Sequence, residues 1–189
     1  MLNRLTNRIY QLTRWQWISL IFLCLLAFNL WFFPTRTRQF GEYLGYPSLV
    51  LDTRLNYTPE QVNEYFADLG ESGRSLYAWT EATLDFLYPL LYGAFFSLSI
   101  ALIGNKVLPS GSSARYLVLL PWLGVLADFM ENMAITFMLM SYPSTPPWMV
   151  YLTRFFSLIK WGVGFASFFL LIIGLAAWII RTIRGRSTR

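Results

Sequence analysis

Four long apolar runs divide the chain: Trp17 to Phe33, about Ala82 to Gly104, Tyr116 to Met140, and about Trp148 to Ile180. A helix rises about 1.5 Å per residue, and roughly 17–25 apolar residues cross a hydrocarbon layer about 30 Å thick. Each run is therefore read as a transmembrane helix. Between the first two runs, in residues 34 to 80, the pattern turns polar, with Glu42, Asp52, Glu60, Glu64, Asp68 and Glu71 set among Arg36, Arg38, Arg54 and Arg74. Within that loop Thr58-Pro59-Glu60 offers an N-cap, a proline at the first helical position and an early acid. Val62, Tyr65, Phe66 and Leu69 then recur at helical spacing before Gly70. The spacing predicts a short amphipathic helix over about 59–69, its apolar side against the bundle, as a cover for the bundle's mouth or as a lid over it. The fold class expected is all-α: one integral membrane domain over residues 1–189, a four-transmembrane-helix bundle with a short amphipathic helix in the first external loop.

Composition agrees with a bilayer as solvent, since 56% of the 189 residues are hydrophobic, 19% aromatic and only 13% charged. The net charge of +5 changes the picture only through its placement. Arg4, Arg8 and Arg14, then Lys106 and Arg115, then Arg181, Arg184, Arg186 and Arg189 all fall on one side if the chain crosses four times. That side is expected to be cytoplasmic, N-in and C-in, and the clusters read as topology signals rather than as a nucleic-acid surface. Residues 34–80 and the uncharged turn Ser141 to Pro147 fall on the other side. Splitting the fourth run into two short helices would break this symmetry. The first run has the charge order of a signal peptide, but Trp31, Phe32, Phe33 and Pro34 follow it instead of a small-residue cleavage site. It is read as an uncleaved span ending in an aromatic belt.

With one cysteine, Cys24, and no histidine, internal disulfides, thiolate cages and imidazole chemistry are excluded. No cofactor or metal is implied. Carboxylates, lysine, tyrosine and hydroxyls remain, and those inside apolar spans are the natural candidates for function, because charge in a membrane is costly unless it faces the bundle or water. Glu81, Asp85, Tyr88 and Tyr92 share a face of the second span, with Pro89 beside them. Asp128, Glu131 and Asn132 share a face of the third, continuing from Pro121 and Gly124. Thr153, Ser157, Lys160, Gly164, Ser167 and Gly174 form a small and polar stripe on the fourth, a pattern that permits close packing. Counting from the basic ends at 1.5 Å per residue places Asp85, Asp128, Glu131 and Lys160 at roughly 20–31 Å, near one level. One reading is a buried ion-pair network in which Lys160 neutralises Glu131 or Asp85. The other is an outward-opening polar pocket with aromatic walls for a lipid-like or amphipathic ligand.

The strings Glu81-x3-Asp85-x3-Pro89-x2-Tyr92 and Asp128-x2-Glu131-Asn132, with Lys160-Trp161, resemble those of small four-helix bacterial integral membrane proteins. That group has no assigned activity, so the resemblance implies a fold and a bacterial inner membrane rather than a chemistry. A weaker resemblance, carried by the long loop with Asp52 and the entering acid Glu81, is to the EXPERA fold of sterol isomerases and the sigma-2 receptor. It implies a sterol-sized cavity with embedded acids; Asp128-x2-Glu131-Asn132 departs from that pattern, so isomerase activity is not carried over. Three functions compete. The first is a ligand-binding membrane protein, or an enzyme acting on a lipid, with Asp85 and Glu131 holding a head group or exchanging protons and Lys160 setting their charge. The second is a non-catalytic subunit or assembly factor contacting a membrane-protein partner. The third, a small transporter, lacks an internal repeat and paired broken helices. The partners implied are the bilayer, a lipid-like small molecule and a membrane protein, and no nucleic acid.

The charge asymmetry makes a topology prediction: a reporter fused after Arg189 reads cytoplasmic, and one inserted near Gly70 reads from the far side. The reverse pair of readings overturns the orientation.

Overall fold

The computed structural model describes residues 2–47 and 49–187, and every regular element among them is helical. Helix α1 covers Leu2–Leu12. The chain then breaks, with Arg14 extended at φ −135° and ψ 138°, and α2 runs through Trp15–Leu44. Inside α2 a π turn occupies Phe28–Phe32, just ahead of Pro34. Proline has no N–H, and its ring clashes with the carbonyl one turn back, so a widened turn is what lets the helix continue past it. The aromatic belt therefore does not end the helix. The stretch expected to enter a loop at residue 34 is helical to Leu44, and the turn comes at Gly45, which takes a left-handed φ of 74°.

Helix α3 spans Pro59–Val107. Thr58 caps it as expected from sequence, and Gln61 completes a capping box: its backbone N–H donates to the Thr58 hydroxyl at 3.3 Å, and its side chain accepts from the Thr58 N–H at 2.9 Å. Gly70 interrupts α3 with φ 64° and ψ −179°, a conformation open essentially to glycine alone. The short helix expected over 59–69 is thus the leading segment of α3, and the helix resumes immediately after Gly70 rather than at Ala82. Val62, Tyr65, Phe66 and Leu69 are buried in a cluster with Phe40, Leu51, Tyr57, Ile135 and Met138, so this segment packs as a cover over one end of the bundle. A 3-10 turn, Ser113–Leu119, leads into α4, Leu120–Ser141, and α5 runs unbroken over Pro147–Ser187. Its continuity removes the alternative of two short helices and carries the helix into the expected basic tail.

Trp15–Leu44, Pro59–Val107, Ser113–Ser141 and Pro147–Arg184 are each long and apolar enough to cross a membrane. Helices α3, α4 and α5 pack against one another, while α2 packs along α3 and not closely against α5. Small residues let the triad close up. A Cβ at Gly93 would stand 2.4 Å from Val125 Cγ2, and one at Gly174 would stand 2.9 Å from Ile103 Cγ2. Gly164 differs: a Cβ there meets nothing within 4 Å, so its place in the small-residue stripe does not serve packing.

Adding one methyl where α3 meets α4 should cost what overpacking costs. Gly93→Ala is expected to destabilise the protein by about 1–3 kcal/mol in detergent unfolding. Gly162→Ala, where a Cβ meets open space, should be near neutral; equal losses for both would show that the contact at Gly93 is not tight.

Candidate functional site

The polar residues of α3, α4 and α5 meet near the covered end of the bundle. Lys160 Nζ lies 2.6 Å from Glu131 Oε2 and 3.7 Å from Asp128 Oδ1. It also donates to the backbone carbonyl of Asp52 at 3.2 Å. Tyr92 donates its hydroxyl proton to Asp128 Oδ2 at 3.0 Å. The ion pair therefore joins Lys160 to Glu131 and Asp128, not to Asp85.

Asp85 and Asn132 are linked through the backbone. Pro89 cannot donate the N–H that would ordinarily bond the carbonyl four residues earlier, which is that of Asp85. Asn132 Nδ2 supplies the missing bond at 2.7 Å. A carbonyl left open in a helix interior costs free energy, so the proline on α3 and the asparagine on α4 form one device that locks the two helices together. The Asp85 side chain is left free for other work: among the described residues it has neither an ion pair nor a hydrogen bond, and it is only 8% exposed.

That carboxylate lines a cavity of about 710 Å³ bounded by α2, α3, α5 and the Val50–Thr53 stretch. The volume falls within the range of small-molecule sites, about 300–1,000 Å³. The lining changes character along the helices. On α3 it runs Thr80, Asp85, Tyr88, Tyr92, Phe96, and on α5 it runs Lys160, Trp161, Gly164, Phe165, Phe168, Phe169. Both helices start at the covered end, so both gradients go from polar to apolar in the same direction. Asp128 reaches the cavity from α4, and Asn29, Phe33 and Arg36 from α2. From Tyr77 to Phe96 the α3 wall is about 28 Å long at 1.5 Å per residue, close to the thickness of a hydrocarbon core. Because α2 and α5 do not pack closely, the flank between them is open, and Phe165 and Phe168 there are 57% and 49% exposed.

The residues singled out in the sequence separate into two groups. Asp85, Tyr88, Tyr92, Asp128 and Lys160 border the cavity. Glu131, fully buried, and Asn132 stand behind them as partners of Lys160 and of the Asp85 carbonyl, and Glu81 lies buried away from the lining with neither carboxylate oxygen hydrogen-bonded. Sequence reasoning passed over Asn29, and it named Arg36 in the outer loop and Trp161 beside Lys160 without placing either at the site. Asn29 had a signal, being an amide inside the first apolar run; it donates to the Leu25 carbonyl at 2.8 Å and to the Tyr88 hydroxyl at 3.2 Å. Asp52 entered only through a resemblance. The stretch around it is stitched down: the Leu51 N–H donates to Tyr77 Oη at 2.9 Å, and Arg154 donates to the Tyr57 carbonyl at 3.2 Å. Burial pushes the Asp52 carboxyl above its ordinary range, with Lys160 pulling the other way, and burial beside Glu131 and Asp52 raises the Tyr57 phenol. Among the described residues no cluster of acids has the arrangement to hold a metal ion.

Comparison with family models, with curated proteins and with solved structures finds no match to this chain.

Lys160 and Glu131 form a buried pair, so removing one partner leaves the other uncompensated. Lys160→Ala should cost about 3–5 kcal/mol, reduced to the extent that unfolded helices in a membrane find other partners. Lys160→Met combined with Glu131→Gln should recover much of that loss. Simple additivity of the two single changes in detergent unfolding would show that the groups do not interact.

Proposed function

We propose that this chain is a multi-pass membrane protein, N-in and C-in, that binds a lipid-like, amphipathic ligand in the cavity between α2, α3 and α5. The observation that carries the reading is the parallel gradient on two walls: carboxylates and an ammonium at one end, phenols in the middle, phenyl rings beyond. An amphiphile lies along such a gradient with its head at Asp85, Asp128 and Lys160 and its tail against Phe96, Phe165 and Phe168. The open flank between α2 and α5 supports entry sideways from the bilayer, because a tail taken that way never has to cross water. Asp85 can accept a hydrogen bond or a positive charge from the head, while Lys160, committed to Glu131 and the Asp52 carbonyl, has at most one hydrogen left for an acceptor. Asn29 steadies Tyr88 in the α2 wall.

A second reading, a non-catalytic subunit of a larger membrane assembly, draws on Glu131 and Asn132, which lie outside the cavity and act between helices. Copurification divides the two: a bound lipid favours the pocket, a stoichiometric protein partner favours the subunit.

Gly164 gives a direct test, because it borders the cavity and its missing side chain would meet open space. Gly164→Phe should leave unfolding in detergent nearly unchanged while sharply reducing the lipid that copurifies, as measured by native mass spectrometry. Asp85→Asn should keep the fold and lower retention of the same lipid. An unchanged lipid complement in both variants would remove the pocket reading and leave the subunit reading ahead.

A further inference from the structure

The opposite end of the bundle carries a feature that the cavity does not use. Helix α1 has three faces at 100° per residue. Thr6 and Tyr10 point to the bundle and are buried. Leu2, Leu5 and Leu12 share a second face and are 62%, 50% and 65% exposed. Arg4, Asn7, Arg8 and Gln11 occupy the third.

Two contacts fix how α1 lies. Asn3 accepts a hydrogen bond from Tyr116, at the turn leading into α4. Tyr10 packs against Gly104 near the end of α3, where an added Cβ would stand 2.6 Å from its hydroxyl, and Arg115 covers its ring at 3.5 Å. Asn3 and Tyr10 are about 10 Å apart along the helix. They thus bridge the ends of two different spans, which lays α1 across the foot of the bundle rather than in line with α2, and the extended Arg14 makes the corner. Among the described residues the leucine face is left half or more exposed.

Charge says what covers it. Lys106, Arg115, Arg181 and Arg184 stand with Arg4, Arg8 and Arg14 at this end, and none of the chain's ten acidic residues falls in 1–41, 101–119 or 175–189. A helix with an apolar face, an arginine-bearing face and no acids is built for a lipid surface of negative charge. We propose that α1 is an interfacial helix seated on a leaflet of anionic phospholipid, with Leu2, Leu5 and Leu12 at the acyl boundary and Arg4 and Arg8 among the lipid phosphates. Seated so, it presses Tyr10 against Gly104 and ties the foot of α3 to the membrane plane.

The test uses the full chain reconstituted in vesicles, in a Cys24→Ala background, with an environment-sensitive dye on Leu5→Cys or on Gln11→Cys. In phosphatidylcholine vesicles containing phosphatidylglycerol, the dye at position 5 should emit at shorter wavelength. Spin-labelled lipids should quench it several-fold more strongly than the dye at position 11, and acrylamide should reach it poorly. Arg4→Gln with Arg8→Gln should weaken lipid quenching at position 5 when phosphatidylglycerol is present and change it little in phosphatidylcholine alone. A position 5 open to acrylamide in both vesicles overturns the proposal. So does one shielded from both quenchers, which would mean a protein partner, and so does quenching indifferent to phosphatidylglycerol.

Discussion

A polar group buried among packed apolar helices is costly unless another part of the chain meets it. Lys160 is where that constraint bears hardest. Its ammonium lies 2.6 Å from Glu131 on α4, reaches Asp128 on the same helix, and donates to the carbonyl of Asp52 in the α2–α3 connection. One side chain thus holds α5 to α4 and pins the plug that closes the bundle's end. Apolar burial brings these helices together without choosing a rotation for each, and the ammonium favours the one in which Glu131 and Asp128 face it.

The second constraint of the same kind is Pro89. By opening the carbonyl of Asp85 it calls for a donor from outside α3, and Asn132 is that donor. The consequence reaches the cavity. With Asn132 at the carbonyl, the Asp85 side chain borders the space between α2 and α5, with no ion pair to Lys160. The scaffold consumes Glu131 and Asn132, and the carboxylate it leaves over is the one that borders the cavity. The polar cluster thus divides into residues that tie helices together and residues that line the cavity.

The cavity itself follows from an uneven distribution of small residues. Gly93, Gly124 and Gly174 draw the α3–α4–α5 triad into close contact. Helix α2 has no such partner on α5 and rests on α3 through Phe22 against Phe95, Phe28 and Phe33 against Tyr88, and the Asn29 bond. Bulky aromatic contacts hold the helix off, and the gap that remains is lined by rings. At the far end α1 is fastened by Asn3, by buried Thr6 and by Tyr10 in its cluster with Ile100, Ala101 and Val118.

Read by itself, the sequence determined the helical class, the four apolar runs, the cap at Thr58 and the polar residues set within those runs, because hydropathy and capping are local properties. Helix ends were harder to read. Pro34 looked like a stop until a π turn absorbed it, and Gly70 looked like an end when it was a hinge within α3. Only the tertiary structure decided that Lys160 pairs with Glu131 rather than Asp85, since both carboxylates stand at similar depths and spacing along a helix says nothing of rotation between helices. It alone turned Gly164 from a packing glycine into a wall of the cavity, for the same reason: a small residue permits close approach, and whether a neighbour arrives is settled by the helix across from it.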